Sequence, residues 1–278
     1  MAEKESLLNT LLGLSMVVEA RDPYTGGHLW RVSQFSRLLA EEAGLSRRNI
    51  ALCEVGGFLH DLGKIGVPDA ILNKPDRLTD TEFSVIRTHP SVGGRLLANH
   101  PLAQLAIEAV VGHHERPDGQ GYPHGIAGEV IPEVARIVSI ADAFDAMTST
   151  RAYRKGMPID KALSIIGGEL GRQFDTNLAK NFLALSASEQ LAHIVGHSEP
   201  GLPLHRCGCG APIAIRRALR DGEYVYCRSC GGESRLSKQG NLVKLEMTGE
   251  RGDAAVLVPD SDSDLIGAMV TEIAPHVF

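Results

Sequence analysis

The chain has 278 residues, 43% of them apolar, and a formal charge of −6. That length holds a folded body of about 200 residues plus a small appendage. The acidic balance excludes a general polyanion binder, so positive potential must be local to any site that takes an anion.

In chain order, Leu7, Leu11, Leu14 and Val18 repeat at the spacing of an amphipathic helix. The stretch is interrupted by Asn9, Thr10 and Ser15 and is too short to span a bilayer. Packing on a helical bundle is the first reading of its apolar stripe, and homodimerisation is the alternative. No basic segment followed by a small-residue cleavage site marks a secretory signal. His28 follows Gly26-Gly27 and opens a periodic run, Val32, Phe35, Leu38 and Leu39, that stops at Gly44. Cys53 lies in the next apolar helix and reads as a core residue.

That helix leads into His60-Asp61-Leu62-Gly63-Lys64, an imidazole, a carboxylate and an ammonium within one turn. Neighbouring side chains on a helix diverge by about 100°, so His60 and Asp61 can meet one metal only at a helix end. Gly63 and Gly66 supply that end. Lys64 returns to the side of Asp61 and could neutralise an anion there. Thr79-x-x-Glu82 is a capping box at the start of the segment that reaches His89-Pro90. His113-His114 closes a run through Leu105, Ala109 and Val110. Asp118 to Gly125 is a glycine-rich turn around Gly121-Tyr122-Pro123. Asp142 lies on the apolar helix 134–144, on a stripe with Val138 and Asp145. A carboxylate there should be ion-paired, hydrogen-bonded or metal-bound. Arg151, Arg154 and Lys155 form a short cationic cluster, suited to a phosphodiester or simply a solvated loop.

Five imidazoles and two carboxylates suffice for two octahedral-leaning ions, with Asp61 able to bridge them. Donors of this kind without thiolate favour iron or manganese over structural zinc. Such a pair activates water and clamps the oxygens of a displacement at phosphorus. The bland alternative is a bundle with several satisfied core and capping histidines.

His60-Asp61, Lys64, His113-His114-Glu115, Gly119-Gln120-Gly121-Tyr122-Pro123 and Asp142-Ala143-Phe144-Asp145-Ala146 resemble the HD-GYP family of HD-domain phosphohydrolases. The likeness runs from Arg21 to Tyr153 and, more loosely, to His197. It implies an all-α HD-domain helical bundle and hydrolysis of cyclic di-GMP to pGpG, GMP or both through a metal-activated hydroxide. It also implies His28, His60, Asp61, His89, His113, His114 and Asp142 as ligands of two divalent ions. Lys64 would contact the scissile phosphate, and Arg151 and Arg154 the other phosphate or a guanine. Asp145 and Tyr122 join these substrate contacts. Tyr122 would stack on a base, present a docking surface to a signalling protein, or merely pin its loop. Some members carry a glutamate four residues before the first histidine that helps hold a third metal. Tyr24 stands there, and Glu19 is out of register, so two ions are expected rather than three. The rival functions are hydrolysis of another cyclic dinucleotide or phosphoester, and a cyclic di-GMP sensor or docking module with little turnover.

Ser186-x-x-Glu189 is read as the cap of one more helix ending near His197. Composition then shifts at Glu199-Pro200-Gly201-Leu202-Pro203, dividing residues 1–199 from a β-rich appendage at 200–278. Cys207, Cys209, Cys227 and Cys230 look like a zinc ribbon, with Asp221-Gly222 turning a hairpin between 213–215 and 223–226. The first pair is one residue tighter than usual, which leaves His205 as a substitute ligand. Residues 241–247 and 254–258 read as strands, and 261–276 as a helix. Arginines 216, 217, 220 and 228 read as a solvated face more readily than a nucleic-acid surface. Clustered thiols make a reducing cytoplasm the expected compartment.

Overall fold

The computed structural model describes residues 1–21, 26–74, 76–150, 155–187, 189–239, 242–258 and 261–278. Helices come first: α1 (Ala2–Glu19), α2 (His28–Glu42), α3 (Arg47–Leu59), α4 (Asp69–Leu72), α5 (Asp80–Ile86), α6 (His89–Leu97), α7 (Ile107–Gly112), α8 (Glu133–Thr148), α9 (Ile159–Gly168) and α10 (Thr176–Ala184). Among the described residues seven strands follow, and then α11 (Ser263–Val277). None of the described helices is long and apolar enough to cross a membrane.

Side-chain caps set several of these starts. Ser46 accepts from the Asn49 amide, Asp175 from Asn177 and Leu178, and Asp262 from Asp264 and Leu265. The Thr79–Glu82 capping box forms in full at α5. The centre of the bundle is α2 packed on α3 and α8. Phe35, Phe144 and Phe182 fill it, with Phe144 edge-on to both other rings at 5.0 Å between centroids.

The expected stripe on α1 is displaced. Leu8, Leu11, Leu12 and Val18 are buried, whereas Leu14 is 51% exposed. Neighbours on several sides explain this, because α1 packs on α2, α3 and α11 rather than on one surface. α11 supplies Leu265, Ile266, Met269, Val270, Ile273 and Val277 to the same core. The segment assigned by composition to the appendage thus returns to cover α1 and α3.

Three further expectations change. Residues 189–196 form turns and not a helix: the Glu189 carbonyl accepts from Ala192 and His193, and the Leu191 carbonyl from Ile194 and Val195. Residues Ala254–Leu257 form a 3-10 turn instead of a strand, started by Asp253 accepting from Ala255. Asp221-Gly222 does not join strands 213–215 and 223–226. Instead β3 (His205–Arg206) pairs with β4 (Pro212–Ile213), and β5 (Tyr224–Tyr226) with β6 (Gly232–Gln239), which also pairs with β7 (Leu242–Arg251). The Asp221 carboxylate turns back to accept from the Lys238 amide at 2.7 Å. Each cysteine pair therefore sits in the connection of its own hairpin, over a small core of Ala211, Ile213, Ile215, Val225 and Leu236.

Between the two parts, β1 (His197–Glu199) pairs with β2 (Leu202–Pro203) and lies against α2. A cavity of about 130 Å³ opens at this seam, walled by Trp30, Phe58, Ile213, Tyr226 and Leu265 among others. Trp30 is buried there.

Candidate metal centre

The chain breaks where the chemistry requires it. His60 ends α3 in helical conformation, and Asp61 (φ −92, ψ 5) leaves the helix to start a 3-10 turn over Leu62–Gly66. The two side chains therefore converge instead of diverging. Gly63 holds this turn against α6, since a β-carbon there would lie 1.9 Å from the His89 carbonyl oxygen.

Asp61 faces two clusters with its two oxygens. Oδ1 is 3.4 Å from His89 Nε2. Oδ2 is 3.4 Å from His60 Nε2 and 3.5 Å from His28 Nε2. On the second side Asp142 Oδ1 closes the group, 3.6 Å from His28 Nε2 and 3.8 Å from His60 Nε2. On the first side His89, His113 and His114 gather their donor atoms within 4.8 Å of one another. All seven ligand candidates thus come together around Asp61. Lys64 Nζ lies 2.6 Å from Asp61 Oδ2, one turn along as its spacing suggested.

Backbone carbonyls fix the imidazole tautomers. His60 Nδ1 donates to Gly57 O at 2.7 Å, His89 Nδ1 to Ile86 O at 2.8 Å and His113 Nδ1 to Ala109 O at 3.0 Å. Each Nε2 is then a lone pair turned inward. His89 Nε2 and His113 Nε2 oppose each other at 3.2 Å, and His60 Nε2 is buried without a hydrogen-bond partner. Two buried lone pairs facing at that distance need a cation between or beside them. A proton is a poor one. Burial, with the neighbouring imidazoles, holds His113 well below the usual histidine range and brings His114 to about 3. These residues fit divalent metal ions.

Around the candidate ligands lies a supporting layer whose role sequence reasoning missed. Burial alone would lower His28, but hydrogen bonds to Asp145 and Asp61 raise it to about 9. Asp145 Oδ2 accepts a hydrogen bond from His28 Nδ1 at 2.8 Å and is itself gripped by the buried Arg31. This corrects the expectation that Asp145 meets substrate. It is 1% exposed and behind His28, where it orients the ring. Glu19, half-buried, accepts from the Leu29 amide at 2.9 Å and so caps the first turn of α2. Burial would likewise raise Asp61, yet the Lys64 ammonium and His60 hold it well below the ordinary carboxylate range. That favours the anion.

The glycine-rich loop is fastened to the ligand segment. Tyr122 N donates to His114 O at 3.1 Å, and buried Glu115 accepts from the His124 amide at 2.7 Å. The Tyr122 ring stacks on His114 with centroids 4.7 Å apart, and the Arg87 guanidinium lies 4.7 Å from the same ring. Arg87, two residues before His89, was not anticipated at this rim. Tyr24, Arg151 and Arg154 lie outside the described residues.

In the appendage the four cysteines also converge. Cys207 and Cys230 sulfurs are 3.5 Å apart and those of Cys209 and Cys227 3.6 Å, with all four within 4.8 Å. Zinc–sulfur bonds of about 2.3 Å in a tetrahedron put sulfurs roughly 3.8 Å apart, so the set fits a tetrahedral ion. The tight Cys207-Gly208-Cys209 spacing closes without help from His205, which stands outside the cluster. Burial would raise Cys230, but the Gly232 amide and the adjoining cysteines lower it to about 7, which favours a thiolate.

The HD domain family matches residues 13–178. The cyclic di-GMP phosphodiesterase response regulator RpfG of Xanthomonas campestris is 41% identical over 189 residues, covering 67% of this chain and 50% of the relative. A cyclic di-GMP phosphodiesterase of Thermotoga maritima is 40% identical over 184 residues, 66% of this chain and 50% of the relative. The 3'3'-cGAMP-specific phosphodiesterase 3 of Vibrio cholerae is 39% identical over 160 residues, 57% of this chain and 35% of the relative. The chain thus spans half the length of these relatives or less.

Proposed function

Because the chain belongs to the HD domain family, we propose that it is a metal-dependent phosphodiesterase hydrolysing cyclic di-GMP to pGpG, GMP or both. The observation that carries this reading is the double presentation of Asp61, one oxygen toward His89 and the other toward His28 and His60. His28, His60 and Asp142 would hold one ion, and His89, His113 and His114 the other, with Asp61 shared; iron or manganese suits these donors. Bound there, such a pair supplies an activated water and Lewis-acid stabilisation of a phosphoryl oxygen.

The protein's own groups do the rest. Lys64 brings a fixed positive charge to the place where a phosphodiester gains negative charge, an arrangement that acts only when that charge develops. Nδ1–H bonds to Gly57 O, Ile86 O and Ala109 O turn the Nε2 atoms of His60, His89 and His113 inward, so the site is preorganised before any ligand enters. Tyr122 and Arg87 offer a flat, cationic rim on which a purine can stack. Arg151 and Arg154 complete the substrate contacts in this reading. The four cysteines would hold one structural zinc, which a reducing cytoplasm would preserve. Exposed Leu14 and Val17 on α1 favour a homodimer, and the loop around Tyr122 is the surface for a signalling partner.

A second substrate is favoured by one observation, the 39% identity to a 3'3'-cGAMP-specific enzyme. Purification without oxygen, metal quantification and a panel of cyclic dinucleotides followed by chromatography decide between them. Linear products from cyclic di-GMP support the first reading, and turnover of cyclic GMP-AMP alone supports the second. A metal-loaded protein that binds cyclic di-GMP but turns over nothing on the panel would make it a sensor.

A further inference from the structure

We propose that Arg31 is a positioning residue through which the β1–β2 hairpin of the C-terminal half sets the orientation of His28, and with it the metal affinity of one of the two sites. This rests on the metal reading above and adds to it a route of control from outside the bundle.

A guanidinium has five N–H donors in one rigid plane, and all five of Arg31 are used. Nε donates to Asp145 Oδ1 at 2.5 Å, and Nη2 to Asp145 Oδ2 and Ser149 Oγ, each at 3.1 Å. Nη1 donates to two carbonyls, Gly26 O and His197 O, both at 2.9 Å. The first of these carbonyls precedes His28 by two residues; the second belongs to β1. One planar group therefore ties together the carboxylate that holds His28 Nδ1, the backbone that starts α2, and the strand that leads to the appendage.

The strand also meets α2 directly. Gly27, in the left-handed region at φ +73, is the residue before His28. A β-carbon on it would lie 2.6 Å from Ser198 Cα. No side chain fits between β1 and the root of the first ligand.

The consequence follows from the electrostatics of burial. Asp145 is a buried carboxylate whose charge Arg31 compensates. If β1 moves, Nη1 loses an acceptor, and a buried donor without a partner is costly. The guanidinium then rotates to recover one, Asp145 follows, and the His28 ring loses the bond that aims Nε2 at Asp61 and Asp142. His89, His113 and His114 take their orientation from other carbonyls or from packing on Tyr122, so their site should not respond.

That asymmetry provides the test, with manganese alone as the probe and the full chain as the protein. Arg31→Lys keeps the charge but cannot serve both Asp145 and His197. Gly27→Ala keeps the guanidinium but sets a β-carbon 2.6 Å from Ser198 Cα and 3.0 Å from Arg31 Nη1, pressing on β1 and on the Arg31–His197 link together. Titrations with manganese, and anomalous scattering from crystals, give affinity and occupancy at each site. Both variants are expected to lose about 10–100-fold in affinity at the His28 site, the usual effect of removing an outer partner of a ligand, with the His89 site unchanged. Restoration at high manganese would recover the loss without a change in melting temperature beyond that of ligand binding. Equal weakening of both sites, or of neither, overturns the inference while leaving the metal reading intact. A wild-type protein that takes no manganese at either site overturns both.

Discussion

Removing α11 should unfold the helical body, although the helix lies beyond the cysteine-bearing strands. The single substitutions Ile266→Ala and Ile273→Ala isolate its packing term. Ile266 is 2% exposed and Ile273 1% exposed, and both belong to the core shared with α1 and α3. Each substitution removes three carbon groups, about 2.4 kcal/mol at roughly 0.8 kcal/mol apiece. The unrelaxed void raises that to about 3 kcal/mol or more, within the range of roughly 2–5 for buried isoleucine. At about 2–4 °C per kcal/mol for a chain of this size, each variant should melt roughly 6–12 °C lower. Val258, 61% exposed, serves as the control, and Val258→Ala should stay within about 0.5 kcal/mol. Together the two losses approach the whole net stability of an ordinary domain, about 5–15 kcal/mol. A protein cut after residue 199 is accordingly expected to be insoluble or molten, whereas excision of the cysteine-bearing strands with α11 retained should leave a folded bundle. Thermal melts by circular dichroism measure all of this. Isoleucine variants melting within about 1 °C of wild type, or a soluble 1–199 fragment with full metal content, would refute the reasoning.

Asp61→Ala should strip both ions and all turnover, while Lys64→Met should keep the metals and lose about 10²–10³ in kcat; elemental analysis beside product chromatography distinguishes them, and an Asp61→Ala protein with both ions would remove Asp61 from the centre. Glu54 supplies a pH dependence. Burial raises its carboxyl to about 7 against Arg37, which lowers it, so the folded chain binds this proton more tightly than the unfolded chain does. Its contribution is fully present below about 4.5 and is lost as pH rises through about 7, a change of roughly 3 kcal/mol at 1.36 kcal/mol per pH unit. Glu54→Gln should flatten urea-melt stability across that window, and parallel curves for the two proteins would contradict the assignment. Cys230→Ser should lower bound zinc from one per chain to none while the manganese taken up at the helical centre stays as in wild type, both read by elemental analysis.

The convergence of the candidate ligands was legible because their constraints are local. His60-Asp61 needs a helix end, and the glycines that supply it lie within six residues; the capping box before His89 is a four-residue pattern that formed as written. What escaped depends on partners distant in the chain. Arg31 and Asp145 are 114 residues apart, and nothing in either neighbourhood announces that one will hold the other. Asp145 consequently read as a substrate contact from its place on the ligand helix. Glu19 looked out of register because its partner is a backbone amide of the next helix rather than a metal. The α1 stripe slipped because a helix covered from several sides has no single apolar face. Strand pairing was misread because each cysteine knuckle makes its own turn, so Asp221-Gly222 was a genuine turn signal attached to the wrong partners.

The chain has a single tryptophan, and it is Trp30, buried at the seam between α2 and the strands. Its emission therefore reports on that seam and on nothing else. Separation of the strands from the bundle would wet the indole and shift its fluorescence to the red while the helices, and the far-ultraviolet spectrum they dominate, stay as they were. Melting of the bundle would change both signals together. An ordinary fluorimeter can thus resolve a hinge-like opening at β1 from global unfolding, without a label and without altering any residue near the metal ligands.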